Sequence, residues 1–132
     1  MVRKSSVLSL QETIFQRLKK HLTCGVYDQA PQNAAFPYVT LGEDVVVDWS
    51  TKLVPGEEVT HTLHIWSQYA GMQELKQLID QAIQALTISS LLVAGFDVVV
   101  SAMDGINTFR DPDGITRHGV LRFRFRVSQK EE

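Results

Sequence analysis

Several things are scarce in this chain, and each scarcity removes a class of explanation. Cys24 is the only cysteine among 132 residues, so no internal disulfide can form and an intracellular origin is expected. Charge of one sign is missing too. Thirteen basic residues face fifteen acidic ones for a net charge of -2, so no global field recruits nucleic acid or an anionic membrane. Long apolar runs are absent. The weakly polar stretch 82–96 is interrupted by Gln84, Thr87, Ser89 and Ser90 and falls short of the roughly 20 residues a membrane span needs. The opening MVRKSSVLSL turns polar again at Gln11 and Glu12, too soon for the core of a signal peptide. A soluble protein made and kept in the cytoplasm is the expectation. Nothing matches GxxxxGK[ST], a Gly-rich dinucleotide loop or GxSxG, which removes the common signatures of phosphate cradles and nucleophile elbows.

What is present is periodicity. The stretch from Val59 to Leu86 changes period once. Val59, His61, Leu63 and Ile65 share one face of a strand, and Thr60, Thr62, His64 and Trp66 the other. After Gly71, Met72, Leu75, Ile79, Ala82, Ile83 and Leu86 form an apolar helical stripe. Leu10, Ile14, Leu18 and Leu22 give an earlier stripe, with Ser9 and Glu12 spaced as a capping box and Gly25 as the stop. Residues 27–37 read as a connector. Tyr38 to Val47 reads as a strand with a bulge near Gly42, and 48–58 as a long hairpin loop that moves or binds. Phe96, Val98, Val100 and Ala102 are placed on one face of a third strand, and 87–95 fits neither pattern clearly. Asp111-Pro112-Asp113-Gly114 is a turn. Thr116 to Val127 alternates most clearly. Leu121, Phe123, Phe125 and Val127 point one way; Arg122, Arg124 and Arg126 point the other. Ser128 to Glu132 reads as a solvated tail.

The expected fold is α+β. It has a single antiparallel-rich four-stranded sheet with two helices on one face, in the order α-β-β-α-β-β. Helices are expected over about 9–23 and 71–86, and strands over about 38–47, 59–67, 96–103 and 116–127, in one domain covering 1–132. Strand order is left open.

Chemistry is harder to find. His61 and His64 are three apart on a strand, so they face opposite ways and cannot chelate one ion together; a semi-buried His61 and an exposed or interface His64 are expected. His21 and His118 have no cysteine or carboxylate at ligand spacing. Cys24 reads as a small, half-buried thiol. No catalytic residue, cofactor or metal is assigned. The arginine row admits two readings. Guanidinium groups about 7 Å apart could meet carboxylates of a neighbouring subunit, or phosphates; alternatively they form a solvated face paired with acids across the strands. An RNA-binding sheet would show its phenylalanines, but Phe123 and Phe125 share a face with Leu121 and Val127, and HGVLRFRF departs from the RNP1 pattern. Trp49 and Trp66 stand outside the core, where tryptophan favours interfaces or local packing.

Four blocks carry a family resemblance: LQETIFQRLK; VYDQAPQNAAFPYVTLGED; DWSTKLVPGEEVTHTLHIWS; and FRDPDGITRHGVLRFRFRV. In that order and spacing the chain resembles the tail-completion proteins of long-tailed phages and prophages, also called tail-to-head joining or minor tail proteins. The resemblance implies a fold similar to tail terminators and a structural role without catalysis. It implies a homo-oligomeric ring, often a hexamer, at the head-proximal end of the tail tube. The partners would be other copies of the chain, the major tail protein and the head connector or stopper. DNA would pass through the lumen without being read, no membrane would be involved, and the protein would sit in the host cytoplasm before assembly and in the virion tail after it. The candidate contacts between subunits, or with head and tail, are Trp49, Lys52, Glu57, Glu58, His64, Trp66, Arg110, Arg122, Arg124 and Arg126. Two further classes stand beside it: a nucleic-acid-binding module using the arginine row, and a small cytosolic enzyme of unknown type.

Overall fold

Leu10, Ile14 and Leu18 recur every four residues and are fully buried, which makes the first helix amphipathic. In the computed structural model, which describes residues 1–131, this helix, α1, spans Val7–His21. It begins two residues earlier than its sequence signal. Ser9 lies inside the first turn and its hydroxyl donates to the Ser6 carbonyl at 3.3 Å, so the expected Ser9–Glu12 box does not cap the helix. A distant residue does so instead. The Glu57 carboxylate accepts from the Ser6 amide at 2.8 Å, the Ser6 hydroxyl at 2.7 Å and the Ser5 hydroxyl at 3.2 Å. It places negative charge where the helix dipole and its free amides favour it.

The strands are β1 (Gly25–Tyr27), β2 (Tyr38–Asp48), β3 (Gly56–Ser67), β4 (Phe96–Arg110) and β5 (Arg117–Gln129), and the second helix, α2, spans Gln73–Thr87. The sheet order is β1-β2-β3-β5-β4. β1 pairs parallel with β2, and every other pairing is antiparallel. The sheet is therefore five-stranded and mixed, not four-stranded. The missed strand is three residues long, too short for alternation to register, and it sits where Gly25 reads as a helix stop. Two hairpins, β2–β3 and β4–β5, meet back to back through β3 and β5.

One face of this sheet is the core. Val39, Leu41, Val59, Leu63, Ile65, Leu121, Phe123, Phe125 and Val127 pack beneath both helices, with Leu75, Leu78, Ile79, Ala82 and Leu86 of α2. Phe123 and Phe125 are 0% exposed, as the alternation of β5 requires. α2 comes so close to β5 that a Cβ at Gly119 would sit 3.1 Å from Ile79 and 3.2 Å from Leu75.

Register shifts redirect several side chains. A bulge between Leu41 and Asp44, at the expected Gly42, turns Asp44 inward. Its carboxylate meets Nδ1 of the fully buried His61 at 2.5 Å. In β4, shifts fall between Val98 and Val100 and between Met103 and Gly105. Val98 lies opposite the buried Val127, whereas Val100 and Ala102 lie opposite Arg126 and Arg124. Val100 and Ala102 are thus on the far side from Phe96 and Val98, a correction to the single-face reading, because one extra residue inverts everything after it. β4 also continues to Arg110, seven residues beyond its expected end. β5 likewise continues to Gln129, which is buried, so Ser128 and Gln129 belong to the sheet; Glu132 lies outside the described residues.

The β2–β3 loop is shorter than expected, at 49–55. It is tied by the Trp49 amide to the Gly56 carbonyl at 2.9 Å and by Thr51 Oγ1, which accepts from Leu53 and Val54. The segment 88–95 after α2 is pinned by Arg17, whose guanidinium donates to the carbonyls of Ala85, Ser89 and Ser90 at 3.0–3.1 Å. The Asp111–Gly114 turn closes β4 onto β5, with the Gly114 amide donating to Asp111 O at 3.0 Å.

Candidate interface on the bare sheet face

Both helices take one side of the sheet, so among the described residues the other side has no covering layer. Its residues can be read in rows across the strands. At one end the row is aromatic. Tyr38 lies opposite Trp66, Trp66 opposite His118 and His118 opposite Phe109. The His118 imidazole stacks on the Trp66 indole with centroids 3.8 Å apart and planes 7° off parallel. Phe109 meets the same imidazole edge-on at 4.7 Å, Tyr38 packs 6.4 Å from Trp66, and Tyr27 stands 6.0 Å from Tyr38. Every strand contributes a ring to this stripe. His64, in the next row, sets its Nδ1 2.8 Å from His118 Nε2. One of the two nitrogens must donate and the other accept, so the bond requires at least one of the two rings to be neutral. Burial and the neighbouring His64 push His118 below its usual value.

Further along the face come the arginines. Arg122 Nη2 donates to Asn107 at 2.6 Å. Arg126 Nε reaches Glu58 at 3.3 Å, and Arg124 Nη1 approaches the other oxygen of Glu58 at 4.0 Å. Arg126 also stacks over Trp49, 5.6 Å from the ring centroid. Arg124 and Arg126 therefore share the Glu58 carboxylate, Arg122 meets an amide oxygen instead, and Arg124 Nε is buried without a hydrogen-bond partner among the described residues. Two of the three arginines thus meet a cross-strand acid, and that acid is the same Glu58 for both.

Seven of the ten sequence candidates are thus brought onto or beside this face: Trp49, Glu58, His64, Trp66, Arg122, Arg124 and Arg126. Lys52 sits exposed in the β2–β3 loop. Arg110 ends β4 opposite Arg117, on the other side of the sheet from Phe109. Glu57 is 6% exposed and committed to the start of α1, so it offers nothing to a partner in the folded chain. Sequence reasoning missed His118, Tyr38 and Phe109. His118 has the same parity as the three arginines of β5, which signals its face, but its partner Trp66 emerges only from the β3–β5 register.

The remaining chemistry is sparse. Among the described residues no group of three or more His, Cys, Asp or Glu could hold a metal ion. Burial pushes the half-buried Cys24 thiol up, away from the thiolate a nucleophile needs. A shallow cleft between α1 and the β1–β2 edge is lined by Leu8, Phe15, Val26, Tyr27 and Leu41. No described helix is long and apolar enough to cross a membrane.

Residues 12–128 match the model of a family described as Tail completion protein gp17. The chain belongs to this family. Within it, the tail completion protein gp17 of Bacillus phage SPP1 is 25% identical over 133 residues, covering 97% of this chain and 98% of its own. Solved structures share the fold. A chain from the virion of a native gene transfer agent particle superposes with a TM-score of 0.84, covering 96% of this chain and 99% of that one at 23% identity. The structure of bacteriophage SPP1 gp17 gives 0.55, with 96% and 86% covered at 24% identity.

Proposed function

We propose that this protein is a structural component of a phage or prophage virion that closes the head-proximal end of the tail tube and joins it to the head connector. It acts as a ring of identical copies through which DNA passes unread, and it performs no catalysis. Membership of the tail-completion family supports the reading, and so does the likeness to a chain of a virion particle. The observation that carries it is the bare face: an aromatic stripe beside three arginines, of which Arg124 and Arg126 share Glu58 and Arg122 meets Asn107. Such a surface combines the residue types enriched at protein contacts, Trp, Tyr, Phe and Arg, with few lysines to keep it solvated. Trp49, His64, Trp66, Arg122, Arg124 and Arg126 are the residues assigned to contacts with other virion parts.

The test is direct. Tail tubes assembled from the major tail protein of the same phage are incubated with the protein and imaged by electron microscopy. A ring of density at one tube end, lost with Trp66→Ala or with Arg122→Ala/Arg124→Ala/Arg126→Ala, is the expected result. Bare tube ends at high protein concentration, or retention on DNA at near-physiological salt by those same arginines without any tube binding, would overturn it in favour of a nucleic-acid module.

A further inference from the structure

A sheet that is not closed has two margins, and here both are open. β4 is the outer strand on one side along all its residues. On the other side β1 pairs only with Tyr38–Thr40 of β2, leaving Asp44–Asp48 with no strand beside it. Natural edge strands are usually blunted by lysine, proline, a bulge or a cover. The two bulges of β4 leave Val100–Met103 as an unbroken ladder, and neither that segment nor Asp44–Asp48 contains lysine or proline. Both margins expose apolar side chains instead: Val45, Val46 and Val47 are 62%, 39% and 56% exposed, and Met103, with Val99 in the bulge before it, 48% and 56%.

The two margins also match each other. β2 is antiparallel to β3, β3 to β5 and β5 to β4, so β2 and β4 run in opposite directions. Copies set side by side around an axis along the strands bring β4 of one against β2 of the next in antiparallel sense, continuing the alternation of the sheet. The rows match as well. Val45, Val46 and Val47 lie level with Ala102, Ser101 and Val100 across the molecule. An unstaggered join sets Val45 and Val47 beside Ala102 and Val100 on the bare side, and Val46 beside Ser101 on the helix side. The acids that bracket the valines are already occupied: Asp44 by His61, and Asp48 by Arg3 and Ser50.

We infer that the seam between copies is this β-ladder, formed by Asp44–Asp48 of one chain and the Val98–Met103 part of β4 in the next. The inference rests on the ring reading and supplies its interface. Two different margins make a head-to-tail contact, which propagates until rotation closes it. Each join satisfies backbone groups that a lone chain leaves to water.

Two margin variants test it. Val45→Lys/Val47→Lys spoils one edge and Ser101→Lys/Met103→Lys the other, all at positions exposed or at the rim. Each is expected to fold with an unchanged far-ultraviolet spectrum and to form no ring on tube ends. Mixed one to one, they retain one sound edge each and are expected to stop at dimers by light scattering. Hydrogen exchange on the unaltered chain is the second measurement. Amides of 44–48 and 98–103 are expected to exchange roughly tenfold more slowly after assembly. Rings formed by either variant, or assembled rings without added protection in both segments, overturn the seam while leaving the tail-capping role intact. An unaltered chain that never assembles removes both.

Discussion

His118 lies flat on Trp66, 3.8 Å between ring centroids, with His64 hydrogen-bonded behind it at 2.8 Å. Burial first, and the charge of His64 second, hold His118 below its ordinary value of 6.5, with Asp111 pulling weakly the other way. The folded chain therefore binds fewer protons at this site than the unfolded chain. The stabilisation is present above pH 6.5 and drains away as pH falls through the folded value. Melting temperatures between about pH 7.5 and 5, above the range where carboxylates titrate, should decline in the unaltered protein and decline less in His118→Gln. Identical profiles for the two would show that His118 is not the group responsible.

Glu57 should matter more to the fold than any other acid. Replacing it with alanine leaves the Ser6 amide and the hydroxyls of Ser5 and Ser6 without their acceptor in a buried site. A loss of about 2–3 kcal/mol in urea denaturation is expected. Glu57→Gln, which keeps one oxygen in place, should lose less.

Adjacent residues of β5 should respond in opposite ways. Phe125→Ala removes a fully buried ring and should destabilise by about 3–5 kcal/mol. Arg124→Ala, one residue earlier on the other face, should stay within about 1 kcal/mol because its ion pair with Glu58 is long and partly exposed. Its effect should show in tube binding instead. A large stability loss from Arg124→Ala would mean that the bare face is a second core.

Arg17 makes a comparably sharp case at the helix layer. Its guanidinium satisfies carbonyls at the end of α2 and in the segment after it. Arg17→Ala should speed amide exchange across 88–93 and leave exchange in β3 and β5 unchanged. A uniform increase over the whole chain would instead signal global destabilisation.

How legible was this molecule? The helices, the four long strands, the Gly42 bulge and the Asp111–Gly114 turn all carry periodic or turn chemistry that depends on neighbours in sequence. The alternation of β5 alone separates Phe123 and Phe125 from Arg122, Arg124 and Arg126. What could not be read depends on partners far away. β1 is a strand only because β2 lies beside it. Glu57 looks like a loop carboxylate until α1 folds over it. The second half of β4 is exposed on both faces, so Asp104 to Arg110 has no apolar rhythm. Two extra residues in that strand also invert faces without leaving a mark in composition. The candidate face was legible in its arginines and in Trp66, but its aromatic stripe required the register of four strand pairs.

The first six residues do more than precede α1. Arg3 binds Asp48 and Ser50, the Lys4 amide donates to Gln129, the Gln129 side-chain amide donates to the Val2 carbonyl, and Ser5 and Ser6 hold Glu57. They lash together the ends of β2, β3 and β5. An affinity tag fused to the amino end would therefore begin at a fastening point of the sheet, beside the β2 margin assigned to the neighbouring copy.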